Sequence, residues 1–85
     1  MTTHTLKAWP EFYDAIESGV KTWEFRRDDR GFRVGDVLVL ERRLPSDLGD
    51  RDAKTLRVRV TYIFYGTGLG VPEGFCIMSI VKEAG

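Results

Sequence analysis

The 85-residue sequence has a single cysteine, Cys76, and a single histidine, His4. One cysteine excludes an intrachain disulfide, so nothing ties the chain to an oxidising compartment. His4 stands in no metal-ligand spacing with Cys or Asp, and no metal or other cofactor is expected. Net charge is also lacking: 13 basic residues balance 13 acidic ones. That balance excludes coating a duplex by raw positive charge, so a polyanionic partner has to meet a local basic patch. No apolar stretch approaches the ~20 residues of a membrane span. Met1-Thr2-Thr3-His4 lacks a basic region followed by an apolar run. A cytoplasmic location and no membrane partner are the expectations.

What is present fits one folded domain over residues 1–85, with no internal repeat or low-complexity tract. Hydrophobic residues make up 42% and charged residues 31%, too apolar a mixture for disorder. His4 to Ala8 reads as a short strand with Leu6 and Ala8 on one face. Trp9-Pro10 opens a helix, since proline suits the first helical position. Glu11 and Asp14 lie near the positive end of its dipole. Phe12, Ala15 and Ile16 form the expected apolar stripe. Ser18-Gly19 ends the helix, with Gly19 as a left-handed cap. Such a short helix is marginal alone and needs a sheet to lie on.

Thr22 to Arg26 alternates as a half-buried strand, and the expected inward face is Trp23 and Phe25. Asp28-Asp29-Arg30-Gly31 and Val34-Gly35-Asp36 are turns. Val37-Leu38-Val39-Leu40 is a strand covered on both faces. Pro45 to Asp52 is a polar loop. Thr55 to Tyr65 is the longest strand, with Leu56, Val58, Val60, Tyr62 and Phe64 expected on one face. Arg57 and Arg59 belong to its solvated face. Gly66 to Gly74 is a loop, and Phe75 to Val81 closes the chain as an apolar strand with Cys76 in the core. The order is β-α-β-β-β-β. That order excludes a doubly wound sheet, which needs alternating helices. It predicts an α+β domain: a small antiparallel sheet of about five strands, curled into a barrel, with one main helix plugging a side.

The chemistry concentrates between Lys21 and Arg33, where five basic and three acidic residues fall together. Glu24 and Arg26 share a strand face about 7 Å apart, and Lys21 leaves the helix end beside them. Arginine suits bidentate contact with phosphate or a base edge, and lysine acts as a point charge. Glu24 is placed to orient either or to accept from an amino group. The spacing alone is equally that of a solvated, ion-paired strand face, which contributes ~0–1 kcal/mol per pair.

Gly19-x-Lys21-x-x-Glu24-x-Arg26 resembles the G-x-K-x-x-E-x-R signature of the ASCH domain, a PUA-like fold linked to RNA. His4-x-Leu6-Lys7, Asp29-Arg30-x-Phe32-x-x-Gly35-Asp36 and the closing strand Phe75 to Ile80 are similar to a compact ASCH-like family. The resemblance implies a barrel whose signature residues face a cleft between helix and sheet. It implies an RNA, nucleotide or modified-base ligand held by Lys21, Glu24 and Arg26, with Arg27 and Arg30 at the rim. Some ASCH relatives hydrolyse an acetylated cytidine with the signature lysine and a threonine nucleophile, and others cut RNA. The threonine falls where this chain has Glu24. An enzymatic alternative therefore rests on Lys21 and Glu24 as catalytic residues.

The remaining candidates are weaker. Gly66-Thr67-Gly68-Leu69-Gly70 lacks the Gly-Lys-[Ser/Thr] of a phosphate loop and opens no helix. Trp9, Tyr62 and Tyr65 have side chains able to stack on bases. Three functions are thus open: a nucleic-acid or nucleotide-binding module, a small hydrolase, and a protein-interaction domain without nucleic acid.

Overall fold

The computed structural model describes residues 1–44 and 53–83. The expected polar loop from Pro45 to Asp52 lies outside the described residues. The elements run β1 (Thr3–Ala8), α1 (Pro10–Glu17), β2 (Trp23–Arg27), β3 (Val37–Arg42), β4 (Thr55–Phe64) and β5 (Phe75–Lys82). Among the described residues the strands form one five-stranded sheet in the order β1-β3-β4-β5-β2, an α+β curled half-barrel with a single helix.

The pairs β3–β4, β4–β5 and β2–β5 are antiparallel. The expectation of an all-antiparallel sheet fails at one pair, because β1 and β3 run parallel from Thr3↔Val37 to Ala8↔Arg42. The chain between them carries α1 and β2, long enough for the crossover that parallel pairing requires. Curling brings the two edge strands, β1 and β2, within side-chain reach. Arg26 Nη2 donates to Lys7 O at 2.6 Å, and Arg30 Nη1 donates to Thr5 O at 3.2 Å. Guanidinium groups, not a strand ladder, stitch this seam.

Side chains of β1 alternate strictly, with His4, Leu6 and Ala8 inside. Leu38, Leu40, Val58, Val60, Cys76 and Met78 fill the centre of the core. Val37, Leu38 and Leu40 are buried and Val39 is half-buried, as a strand covered on both faces requires. Burial pushes the Cys76 thiol up to about 11, with the charge of Asp28 adding to it.

Pro10 opens α1 and Gly19, at φ 88°, turns the chain after it. The buried helix residues are Tyr13 and Ile16, whereas Phe12 is 42% exposed. Of the expected stripe, Ile16 is buried and Ala15 half-buried, and Tyr13 takes the inward place expected of Phe12. Tyr13 fills the core, and Phe12 stacks on Trp9 with centroids 5.8 Å apart.

Strand β4 departs from simple alternation. Leu56, Val58 and Val60 point inward, then a bulge between Val60 and Tyr62 shifts the register. Ile63 packs on the core beyond the bulge. Tyr62 and Phe64, expected inside, are 60% and 36% exposed. A bulge adds one residue to one strand and so exchanges its two faces.

Asp36 anchors the start of β1 to the turn before β3. Its Oδ1 accepts from Thr2 N at 3.0 Å. Its Oδ2 accepts from Arg33 N at 3.0 Å and is hydrogen-bonded to His4 Nε2 at 2.9 Å. His4 sits edge-on to Phe32, centroids 4.8 Å apart. The histidine is thus part of the framework. No helix among the described residues is long and apolar enough to cross a membrane.

Candidate functional site

Strand β2 lies the other way up from the alternation argument. Trp23 and Phe25 are 48% and 46% exposed, and Glu24 is 5% exposed. The reason is register against β5. Glu24 pairs with Met78 and Arg26 with Cys76, both fully buried, so the charged face of β2 is the core face. A one-residue slip in a strand exchanges faces, and here β5 decides which face wins.

A carboxylate buried at that depth needs partners, because an unpaired buried charge is costly. Two cations supply them. Lys21 Nζ donates to Glu24 Oε1 at 3.2 Å and to Trp23 O at 2.7 Å. Arg26 Nε donates to Glu24 Oε2 at 2.7 Å while its Nη2 holds the β1 edge. The Lys21 ammonium also lies 4.3 Å from the Trp23 ring centroid and 5.5 Å from that of Phe12. Lysine is presented by the turn after α1, where Val20 N and Lys21 N both donate to Ala15 O. The helix end and the following strand therefore bring ammonium, carboxylate and guanidinium together as the spacing predicts.

These groups border a cleft of about 300 Å³ lined by Lys7, Ala8, Trp9, Phe12, Glu24, Phe25, Arg26, Arg27 and Phe75. An adjoining hollow of about 170 Å³ is lined by Phe12, Lys21, Trp23, Glu24 and Phe25. Arg27 stands over the Phe75 ring at 4.8 Å, and Phe75 stacks on Phe25 at 5.4 Å. Three cations and one carboxylate line the main cleft, which makes it locally basic in a chain of zero net charge. A larger hollow, about 570 Å³, opens beneath the Gly66–Gly74 loop. Its only charged lining residue is Glu73, so no cations converge there.

Of the five candidate binding residues, Lys21, Glu24 and Arg26 converge, and Arg27 reaches the same cleft. Arg30 lies apart from it, on the β1 edge at Thr5 O and 3.9 Å from Asp29. Arg57 is exposed, whereas Arg59 is tied to Glu83 at 2.6 Å and to Gly35 O at 2.9 Å. The aromatic lining was assigned differently by the sequence pattern, which put Phe25 and Phe12 in the core. The usable signal was the density of aromatic residues around the signature. Lys7 was visible only as a family-like flank.

The fold and site define a class: a one-helix, five-strand curled barrel whose buried, doubly ion-paired carboxylate borders an aromatic cleft. The family described as Domain of unknown function (DUF3850) matches residues 3–80, and the chain belongs to that family. No curated protein matches it.

Proposed function

We propose that this is an ASCH-like, PUA-like module that binds RNA, a nucleotide or a modified base in the Lys21–Glu24–Arg26 cleft. The observation that carries this reading is the coincidence of a local cationic site with exposed aromatic rings at one opening. Phosphates are attracted by the cations, and bases stack on exposed rings. Glu24 holds Lys21 and Arg26 in place. Arg27, exposed over Phe75, is the residue best placed to meet phosphate.

The geometry supports binding over hydrolysis. Both Glu24 oxygens already accept hydrogen bonds from cations, an arrangement suited to orienting those cations. The test is anisotropy of a labelled single-stranded RNA titrated with the protein at several salt concentrations. Affinity is expected to fall with a log–log slope of about −0.7 per phosphate neutralised. Salt-independent binding, or no binding at low salt, contradicts the proposal.

A further inference from the structure

The aromatic side chains that alternation assigns to the core stand together on the outside of the sheet. Trp23, Phe25, Tyr62 and Phe64 are 48%, 46%, 60% and 36% exposed. Strand register orders them. Phe25, Ile77 and Phe64 lie side by side on β2, β5 and β4, and Trp23, Ser79 and Tyr62 form the neighbouring row. Adjacent strands are about 4.8 Å apart and the rows about 7 Å, so the face offers an area about 10 Å wide and two bases deep. The bulge after Val60 creates its β4 half, because an unbroken alternation turns Tyr62 and Phe64 inward. Clustered exposed apolar surface of this kind marks an interaction site.

Two observations specify the occupant. The face is continuous with the basic cleft, since Phe25 lines the cleft and Trp23 lines the adjoining hollow. Its β2 border is cationic: Lys21 lies over Trp23 at 4.3 Å, and Arg27 stands over Phe75 beside Phe25. Neither row contains an acid. Flat rings beside a cationic edge match a single strand, whose bases stack while its phosphates follow the charge.

We propose that the outer face of β2, β5 and β4 is a stacking platform for single-stranded nucleic acid leaving the cleft. This rests on the cleft reading and extends its ligand from one nucleotide to a strand of two or three. Binding on the platform is tolerant of sequence, because every base has a stacking face.

The test compares uridine 5′-monophosphate with octauridylate, using wild type, Tyr62→Ala and Phe64→Ala. Tyr62 is 60% exposed, so Tyr62→Ala is expected to melt with the wild type; Phe64 is 36% exposed, so Phe64→Ala is compared at a temperature where it is fully folded. The expected result is octamer binding that each substitution weakens roughly five- to hundredfold. Any monophosphate binding is expected to be unchanged by them. Monophosphate binding with an octamer no tighter, or octamer binding indifferent to both substitutions, overturns the platform and leaves the cleft standing. Failure of both ligands overturns the two together. Sedimentation as a dimer that Tyr62→Ala dissociates assigns the face to a second copy and also overturns the platform.

Discussion

Glu24 and Asp36 are both buried carboxylates, 5% and 2% exposed, yet they are satisfied in different currencies. Asp36 is held by two backbone N–H groups and by the framework histidine, His4. The bonds with Thr2 and His4 join the start of β1 to the turn before β3, and the bond from Arg33 N closes that turn. Glu24 is held by two long cationic side chains, Lys21 and Arg26, which also donate to backbone carbonyls of β2 and β1. Those cations border a cleft rimmed with exposed aromatics. A carboxylate closed by backbone organises a fold, and one closed by side-chain cations organises a charged surface. Asp36 is thus expected to govern stability, and the Glu24 cluster the proposed ligand affinity.

The comparison is broken most directly at Asp36. Asp36→Ala removes the partner of three groups, and breaking a buried pair of this kind costs about 3–5 kcal/mol. Urea unfolding measures it, and a loss under about 1 kcal/mol removes Asp36 from the framework. Acidity tests the same group. Burial alone raises the Asp36 pKa, but the hydrogen bond from His4 and those from Thr2 and Arg33 outweigh it and hold the carboxyl below its usual value. A depressed folded pKa gives stability that is present above the unfolded value, about 3.9, and is lost as pH falls through the folded value. The gap between wild-type and Asp36→Asn stabilities is thus expected to begin closing as pH falls below about 4 and to close only below the depressed folded value.

Smaller effects sharpen the other side. Lys21→Ala is expected to weaken single-stranded RNA binding by about 1–3 kcal/mol and, because it strips buried Glu24 of one of its two partners, to lose about 1–2 kcal/mol of stability. Arg26→Ala is expected to lower affinity similarly and to lose more stability, about 2–4 kcal/mol, because it strips Glu24 of its other partner and also releases the β1 edge. Equal stability losses in the two variants contradict the division of roles between them. The smallest effect belongs to an exposed pair, Arg42 with Asp14 at 2.9 Å on the helix. Asp14→Ala is expected to leave both melting and binding unchanged, as isolated surface pairs usually do.

The order of elements, the Pro10 start and Gly19 stop of the helix, the covered β3 strand and the buried Cys76 were legible in the sequence. So was the convergence of Lys21, Glu24 and Arg26, because a helix end followed by alternating residues fixes their relative placement. The faces of β2 were not. Trp23-Glu24-Phe25-Arg26 alternates equally well in either orientation, and hydropathy favours the wrong one. Only pairing with Cys76 and Met78 on β5 decides it, and that is a long-range fact. The β4 bulge falls at Thr61-Tyr62, where no glycine marks it, so alternation was carried two residues too far. Phe12 and Tyr13 are adjacent aromatics, and the turn of the helix that reaches the sheet is set by packing. The parallel β1–β3 pair escaped because crossover direction is a property of the whole chain. Each of these errors except the last placed an aromatic ring inside that belongs outside. The site's aromatic half was hidden for one reason: hydrophobicity was read as burial.

Trp9 and Trp23 are the two tryptophans of the chain, and each lines one of the two adjoining hollows at the Glu24 cluster. Tryptophan emission therefore reports on the cleft without a label. Titration of the wild-type protein with single-stranded RNA at low salt should give saturable quenching, with Lys21→Ala requiring about tenfold more RNA at a temperature where both proteins are fully folded. Emission indifferent to RNA, or identical curves for the two proteins, would contradict a nucleic-acid site at Lys21, Glu24 and Arg26.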